Sequence, residues 1–351
     1  MGESCGVDVG ECILAPGHAD MLAVLPITPW HWLGFISIVL IFLGLDLGLF
    51  HRRAHVVSFQ EAIRWSLIWF ALALVFALAM RHFRGPTESL QFITGYLIEL
   101  SLSMDNVFVM ALIFAYFRVP AQHQHRVLFW GILGALVMRG VMIGVGAALI
   151  NLLHWILYVL GAFILYTGIK MLFAKSDVAP EKNRIIRWVR KVYPVTPELD
   201  GQKFLTRWNG TLALTPLALV LLMIETSDLV FALDSIPAIF AVTTKPFIVF
   251  TSNVFAILGL RSLYFVLAGA IGYFRYLKIG LSFVLIFIGV KMLLDPHEGI
   301  PPLPFQVEIP ISVSLFVVAL ILLISILLSV IVEYREKKPG KKAIKDTKGP
   351  Q

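Results

Sequence analysis

The sequence predicts an all-α polytopic membrane protein of about nine transmembrane helices, six of them forming an inverted repeat of three helices plus three helices. Three observations carry this expectation. Hydrophobic residues make up 58% of the 351 and charged residues only 15%, whereas soluble domains carry about 45–50% and about 25%. The apolar residues gather into nine runs, near 30–50, 62–80, 90–117, 126–150, 152–173, 211–240, 247–271, 276–294 and 309–332. A spanning helix needs roughly 20 such residues. Lastly, a set of landmark residues recurs in the same order at an offset of 121 to 123 positions. The mean hydropathy of +0.85 also excludes a disordered chain.

The loops give the orientation. Residues 1–29 hold no Lys or Arg and four acids, Glu3, Asp8, Glu11 and Asp20, so the basic start of a secretory signal is missing and the first run is expected to stay as a helix. Nine crossings put the termini on opposite sides. With the tail inside, the cytoplasmic face takes Arg52, Arg53, Arg118, Arg126, eight basic residues of a 174–210 linker, Arg275, Lys278 and seven basic residues of the tail. The outer segments keep only Arg81, Arg84 and Lys245. That bias places the N-terminus outside and the C-terminus in the cytoplasm of a cell inner (plasma) membrane. The expected divisions are an extracytoplasmic segment 1–29, two first helices in 30–89, repeat A in 90–173, the basic linker 174–210, repeat B in 211–294, an outer loop with the last helix in 295–332, and a basic tail 333–351. Because the net charge of +7 sits in short loops rather than on a soluble face, the partners implied are lipid and ions, not nucleic acid. Cys5 and Cys12 are too few for a disulfide scaffold, and they either pair in an oxidising compartment or are incidental.

The repeat rests on three matches. Ser103-Met104-Asp105-Asn106-Val107-Phe108 aligns with Thr226-Ser227-Asp228-Leu229-Val230-Phe231, Arg139 with Arg261, and Gly168-Ile169-Lys170-Met171-Leu172 with Gly289-Val290-Lys291-Met292-Leu293. A unit of three helices crosses the membrane an odd number of times. Its two copies must therefore run in opposite directions, an arrangement that transporters use to place a substrate site at the repeat interface near the midplane.

Five carboxylates lie at that depth: Glu99 and Asp105 in the third run, Glu225, Asp228 and Asp234 in the sixth. A central Asp costs roughly 2.5–3.5 kcal/mol on insertion scales, so such acids need partners. With Ser101, Ser103, Asn106, Thr226, Ser227 and Ser235 as neighbours, they offer the oxygen-rich surroundings that Mg²⁺, Ca²⁺ or Mn²⁺ prefer. Pro237 is expected to break its helix beside Asp234 and bare backbone oxygens there. The competing reading is that the acids form structural ion pairs with Arg139 and Arg261, although two arginines cannot neutralise five acids. Arg64, Lys170 and Lys291 are the other bases within or at the edges of spans. Met104 is read as packing before ligand, His123 and His125 as part of a solvated inner loop, Gly140 and Gly144 as close helix packing, and Ser58-x-x-Glu61 as a capping box.

The chain resembles the TerC family of integral membrane proteins. The stretches that carry the likeness run from Asp46 to His55 with Ser58 and Glu61, from Glu99 to Asn106, and from Glu225 through Asp234-Ser235-Ile236-Pro237-Ala238-Ile239. The resemblance covers roughly residues 30–335 and implies manganese export, with looser links to tellurium resistance and, in a plant relative, to thylakoid membrane assembly. It places metal coordination on Glu99, Asp105, Glu225, Asp228 and Asp234.

These readings together predict a secondary transporter that exports divalent metal in exchange for protons, the resemblance implying manganese as that metal. The chain has no phosphate-loop sequence of its own. No enzyme activity and no bound cofactor are expected, with Mn²⁺ as cargo. The alternatives are a membrane-protein assembly or stress-resistance factor, and an intramembrane hydrolase. Against the hydrolase, neither His-Glu-x-x-His nor Gly-x-Gly-Asp occurs.

Overall fold

The computed structural model describes residues 27–45, 58–153, 155–173, 184–208, 210–268, 276–296 and 306–337. Cys5, Cys12, the basic tail beyond 337 and part of the linker lie outside them. Ten helices and one hairpin follow in order: α1 Pro29–Leu45, α2 Phe59–Arg84, α3 Pro86–Tyr116, α4 Ala121–Leu152, α5 Ile156–Phe173, α6 Arg184–Val192, β1 Leu205–Trp208, β2 Thr211–Leu214, α7 Pro216–Phe240, α8 Pro246–Ala268, α9 Leu277–Leu294 and α10 Ile311–Lys337. Among the described residues eight helices are long and apolar enough to cross a membrane, and α1 is an apolar helix of 17 residues. The protein is an almost wholly helical polytopic membrane protein.

Local chemistry sets the helix starts. The Ser58 hydroxyl accepts the Glu61 amide at 3.3 Å and caps α2, as the Ser-x-x-Glu spacing predicts. Gly85, at φ 93°, lets the chain turn directly from α2 into α3, where Pro86 takes the first helical turn and gives up no needed donor. Thr215 caps α7 through the Ala218 amide, again ahead of a proline.

The helices α3, α4 and α5 pack on α7, α8 and α9: α3 against α7 and α8, α4 against α7 and α8, α5 against α9. α8 is the most enclosed, and its Phe247 and Phe255 join Trp32, Phe35, Phe76 and Phe92 in an aromatic seam with α1, α2 and α3, ring centroids 5.0–6.0 Å apart. α1, α2 and α10 keep long exposed rows such as Leu67, Val75 and Leu78, or Phe316, Leu323 and Leu327. Apolar rows of that extent are the surface a bilayer covers.

Four expectations change. The helix of Asp234 is not broken at Pro237; α7 runs through to Phe240 with the proline inside it, so the Leu233 carbonyl loses its amide donor without the helix ending there. Gly140 does meet a neighbour, Phe250, at 3.3 Å from a built Cβ, but Gly144 faces nothing within 4 Å. His123 and His125 stand in the first turn of α4 rather than in a loop. The linker is also more ordered than its polarity suggests: α6 carries Trp188 and Val189 among its bases, and β1 pairs antiparallel with β2.

Candidate functional site

Arg139 of α4 lies at the centre of the bundle with a side chain 2% exposed, and its guanidinium joins three other helices. Nη1 donates to Glu99 Oε1 of α3. Nε and Nη2 form a fork on Asp228 of α7, at 3.0 Å to Oδ2 and 2.8 Å to Oδ1. Planar two-point pairing of this kind is what a guanidinium does and an ammonium cannot. Nη1 also reaches Ser235 Oγ at 3.4 Å and Asn253 Oδ1 of α8 at 3.5 Å. Asn106 Nδ2 donates to Asp228 Oδ1 at 3.2 Å, and Ser103 Oγ lies 3.5 Å from Glu99 Oε1. Three buried polar atoms of the cluster, Glu99 Oε2, Asn106 Oδ1 and Asn253 Nδ2, have no hydrogen-bond partner among the described residues.

The five predicted acids thus divide. Glu99 and Asp228 converge on Arg139, as the ion-pair reading expects. Glu225, one turn from Asp228, lays its carboxylate against Gly134 of α4, where a built Cβ would come within 2.6 Å of Oε2. Asp234 hydrogen-bonds Thr167 of α5 with Lys170 nearby, and Asp105 feels the charge of Lys278 of α9. Among the described residues no three His, Cys, Asp or Glu side chains form a ready metal cage. The remaining bases also have places: Lys291 is 3.4 Å from Asp295, Lys170 stands over the Tyr166 ring, Arg64 reaches the Gln60 carbonyl, and Arg261 shares a small cavity with Arg139 and Asp228. A second cluster ties the buried Glu88 of α3 to Arg84 and, at 2.6 Å, to the half-exposed Lys245 before α8.

Sequence reasoning missed Asn253 and Gly134. Thr251-Ser252-Asn253 interrupts an otherwise apolar run and was a visible signal for the first. Gly134 had none, since its role appears only once Glu225 is seen to need the space of a missing side chain.

Eight helices long and apolar enough to cross a membrane, among the described residues, packed around an arginine held between two carboxylates make this an integral membrane protein with an ionic centre. The chain belongs to the TerC family: residues 84–337 match the integral membrane protein TerC family. It is 52% identical over 305 residues to membrane protein STKORF319 of Myxococcus xanthus, covering 87% of this chain and 93% of that one. Proteins designated membrane-bound redox modulator Alx, from Shigella flexneri and Escherichia coli K12, are each 48% identical over 321 residues, covering 89% of this chain and 98% and 97% of theirs. No solved structure matches the chain.

Proposed function

We propose that the protein exports a divalent metal cation, manganese above others, from the cytoplasm of a cell inner membrane through its central carboxylates, in exchange for protons. The observation that supports this is the convergence of Glu99 and Asp228, from two different helices, on the one buried guanidinium of Arg139 at the middle of the bundle. Ionisable residues within membrane spans face the bundle interior, pair with one another and mark substrate and ion pathways. Asp105, Glu225 and Asp234 are the further acids proposed to hold the ion along its route. The basic linker and tail face the cytoplasm in this reading. Moving a dication outward against an inside-negative 100 mV costs roughly 4.6 kcal/mol, so an inward ion flow has to drive it.

The test is Mn²⁺ flux in proteoliposomes under an imposed pH gradient, with the membrane potential clamped. Flux that quickens when the outer side is made acid supports exchange; flux indifferent to the gradient removes protons as the counter-ion, and no flux at all removes the transport reading. The Alx designation of two relatives suggests redox activity as a second reading. Cys5 and Cys12 are the only thiols here, and a phenotype lost in the Cys5→Ser, Cys12→Ser variant would favour it.

A further inference from the structure

The guanidinium of Arg139 occupies a shell of oxygens: Glu99 Oε1, both oxygens of Asp228, Ser235 Oγ and Asn253 Oδ1, drawn from α3, α7 and α8. Such a shell of carboxylate, hydroxyl and amide oxygens is also what a hard dication takes. Charge decides between possible occupants. Within this shell two carboxylates and one guanidinium leave one negative charge in excess, with Arg261 across the adjoining cavity, and two acceptors, Glu99 Oε2 and Asn106 Oδ1, find no donor among the described residues. A monovalent cation in place of the guanidinium would leave the same excess. A divalent cation would cancel it.

We propose that Arg139 is a tethered stand-in for the cargo, its guanidinium filling the divalent-cation site between Glu99 and Asp228 and having to leave before the metal can bind. The inference rests on the transport reading above and adds to it how the site is kept neutral between cargoes. In a low-dielectric interior, two bare carboxylates would resist any rearrangement of the carrier; an internal cation removes most of that cost. The cavity beside the cluster, bounded by Arg139, Asp228, Gly131, Ile224 and Arg261, measures about 10 Å³, room for one water and not for a guanidinium. Arg139 therefore cannot withdraw into that cavity without movement of the α4, α7 and α8 residues that line it.

The test uses the full chain purified in detergent and Mn²⁺ alone as probe, its free concentration read by electron paramagnetic resonance. If the guanidinium-free state is at most roughly a tenth of the population, Arg139 weakens apparent metal affinity at least tenfold, so Arg139→Ala is expected to bind Mn²⁺ at least about tenfold more tightly than the native chain. Added guanidinium ion at millimolar concentration should compete with Mn²⁺ in that variant and not in the native protein, and Asp228→Asn in the same background should abolish the gain. Should Arg139→Ala not fold, Arg139→Lys, whose ammonium cannot span both carboxylates, carries the same comparison. Unchanged or weaker binding, or a gain that survives Asp228→Asn, overturns the stand-in. Tight binding by Arg139→Ala together with no flux in native vesicles would instead defeat the transport reading while still showing that Arg139 fills a divalent-cation site.

Discussion

Gly168 and Gly289 make the same contact from opposite sides of the α5–α9 crossing. A Cβ built on Gly168 would lie 2.9 Å from the backbone nitrogen of Ile286, and one on Gly289 would lie 2.6 Å from that of Leu165. Gly289 follows Gly168 by 121 positions, and Ile286 follows Leu165 by the same 121. The interface is therefore reciprocal in the manner of a two-fold dimer contact, inside one chain.

Because the opposing atoms at that crossing are backbone, they cannot rotate away. Gly289→Ala and Gly168→Ala should each destabilise the detergent-solubilised protein by about 1–3 kcal/mol, the usual cost of overpacking. Gly144→Ala, with open space around it, should be neutral or stabilising by up to about 1 kcal/mol, since alanine is the better helix former. Thermal unfolding of the three variants measures this. Equal shifts in all three would mean that the crossing is not as tight as described.

The same crossing shows what the sequence could and could not disclose. Nine apolar runs and the offset landmarks were legible because membrane helices advertise themselves by length and composition, and the buried acids because charge is conspicuous in an apolar run. Which acid meets which base was not legible. Arg139 and its repeat match Arg261 look alike in sequence, yet Arg139 holds Asp228 and Glu99 while Asp105 lies under the influence of Lys278. Tertiary placement alone makes that distinction. The β1–β2 hairpin, by contrast, was announced by Asn209-Gly210 between two short β-prone stretches, a signal masked by the basic character of the linker.

Gly134 offers a way to move one acid without removing its charge. A methyl group there would collide with the Glu225 carboxylate, which sits at the end of a flexible side chain and can yield at little cost. Gly134→Ala should therefore leave thermal stability within about 1 kcal/mol of the native protein while, under the proposed function, slowing Mn²⁺ flux as Glu225→Gln should. Native flux in Gly134→Ala, with flux lost in Glu225→Gln, would show that the position of this carboxylate is not critical.

In the linker, the Thr206 hydroxyl at 2.7 Å and Lys203 at 3.1 Å hold the Asp200 carboxyl below the usual carboxylate range. A group whose folded pKa is lowered stabilises the fold above its ordinary value and stops doing so as pH falls through the folded one. The Asp200–Thr206 contact should thus persist at neutral pH and loosen only below about pH 4. Following the Thr206 methyl resonance from about pH 6 to about pH 3 tests this, with Asp200→Asn expected to titrate flat.

Asp105 and Asp228 are repeat matches with different surroundings, and their substitution should separate folding from transport. Asp228→Asn deprives Arg139 of a two-point ionic contact, and hydrogen bonds to charged groups contribute about 1.5–3 kcal/mol, so the variant should lose stability on that scale. Removing the base is worse: Arg139→Leu leaves Glu99 and Asp228 buried with no counter-charge, at about 3–5 kcal/mol, and should accumulate poorly. Asp105→Asn removes a charge that no such fork holds and should fold as well as the native chain. Under the proposed function both Asn variants nevertheless stop Mn²⁺ flux, because an amide keeps the shape of the carboxylate and loses the charge that balances a dication. The measurements are yield and unfolding temperature for all three, with vesicle flux for the two Asn variants. Flux at the native rate in both would leave these carboxylates without a part in transport, and a loss of stability greatest in Asp105→Asn would contradict the central place given to Arg139.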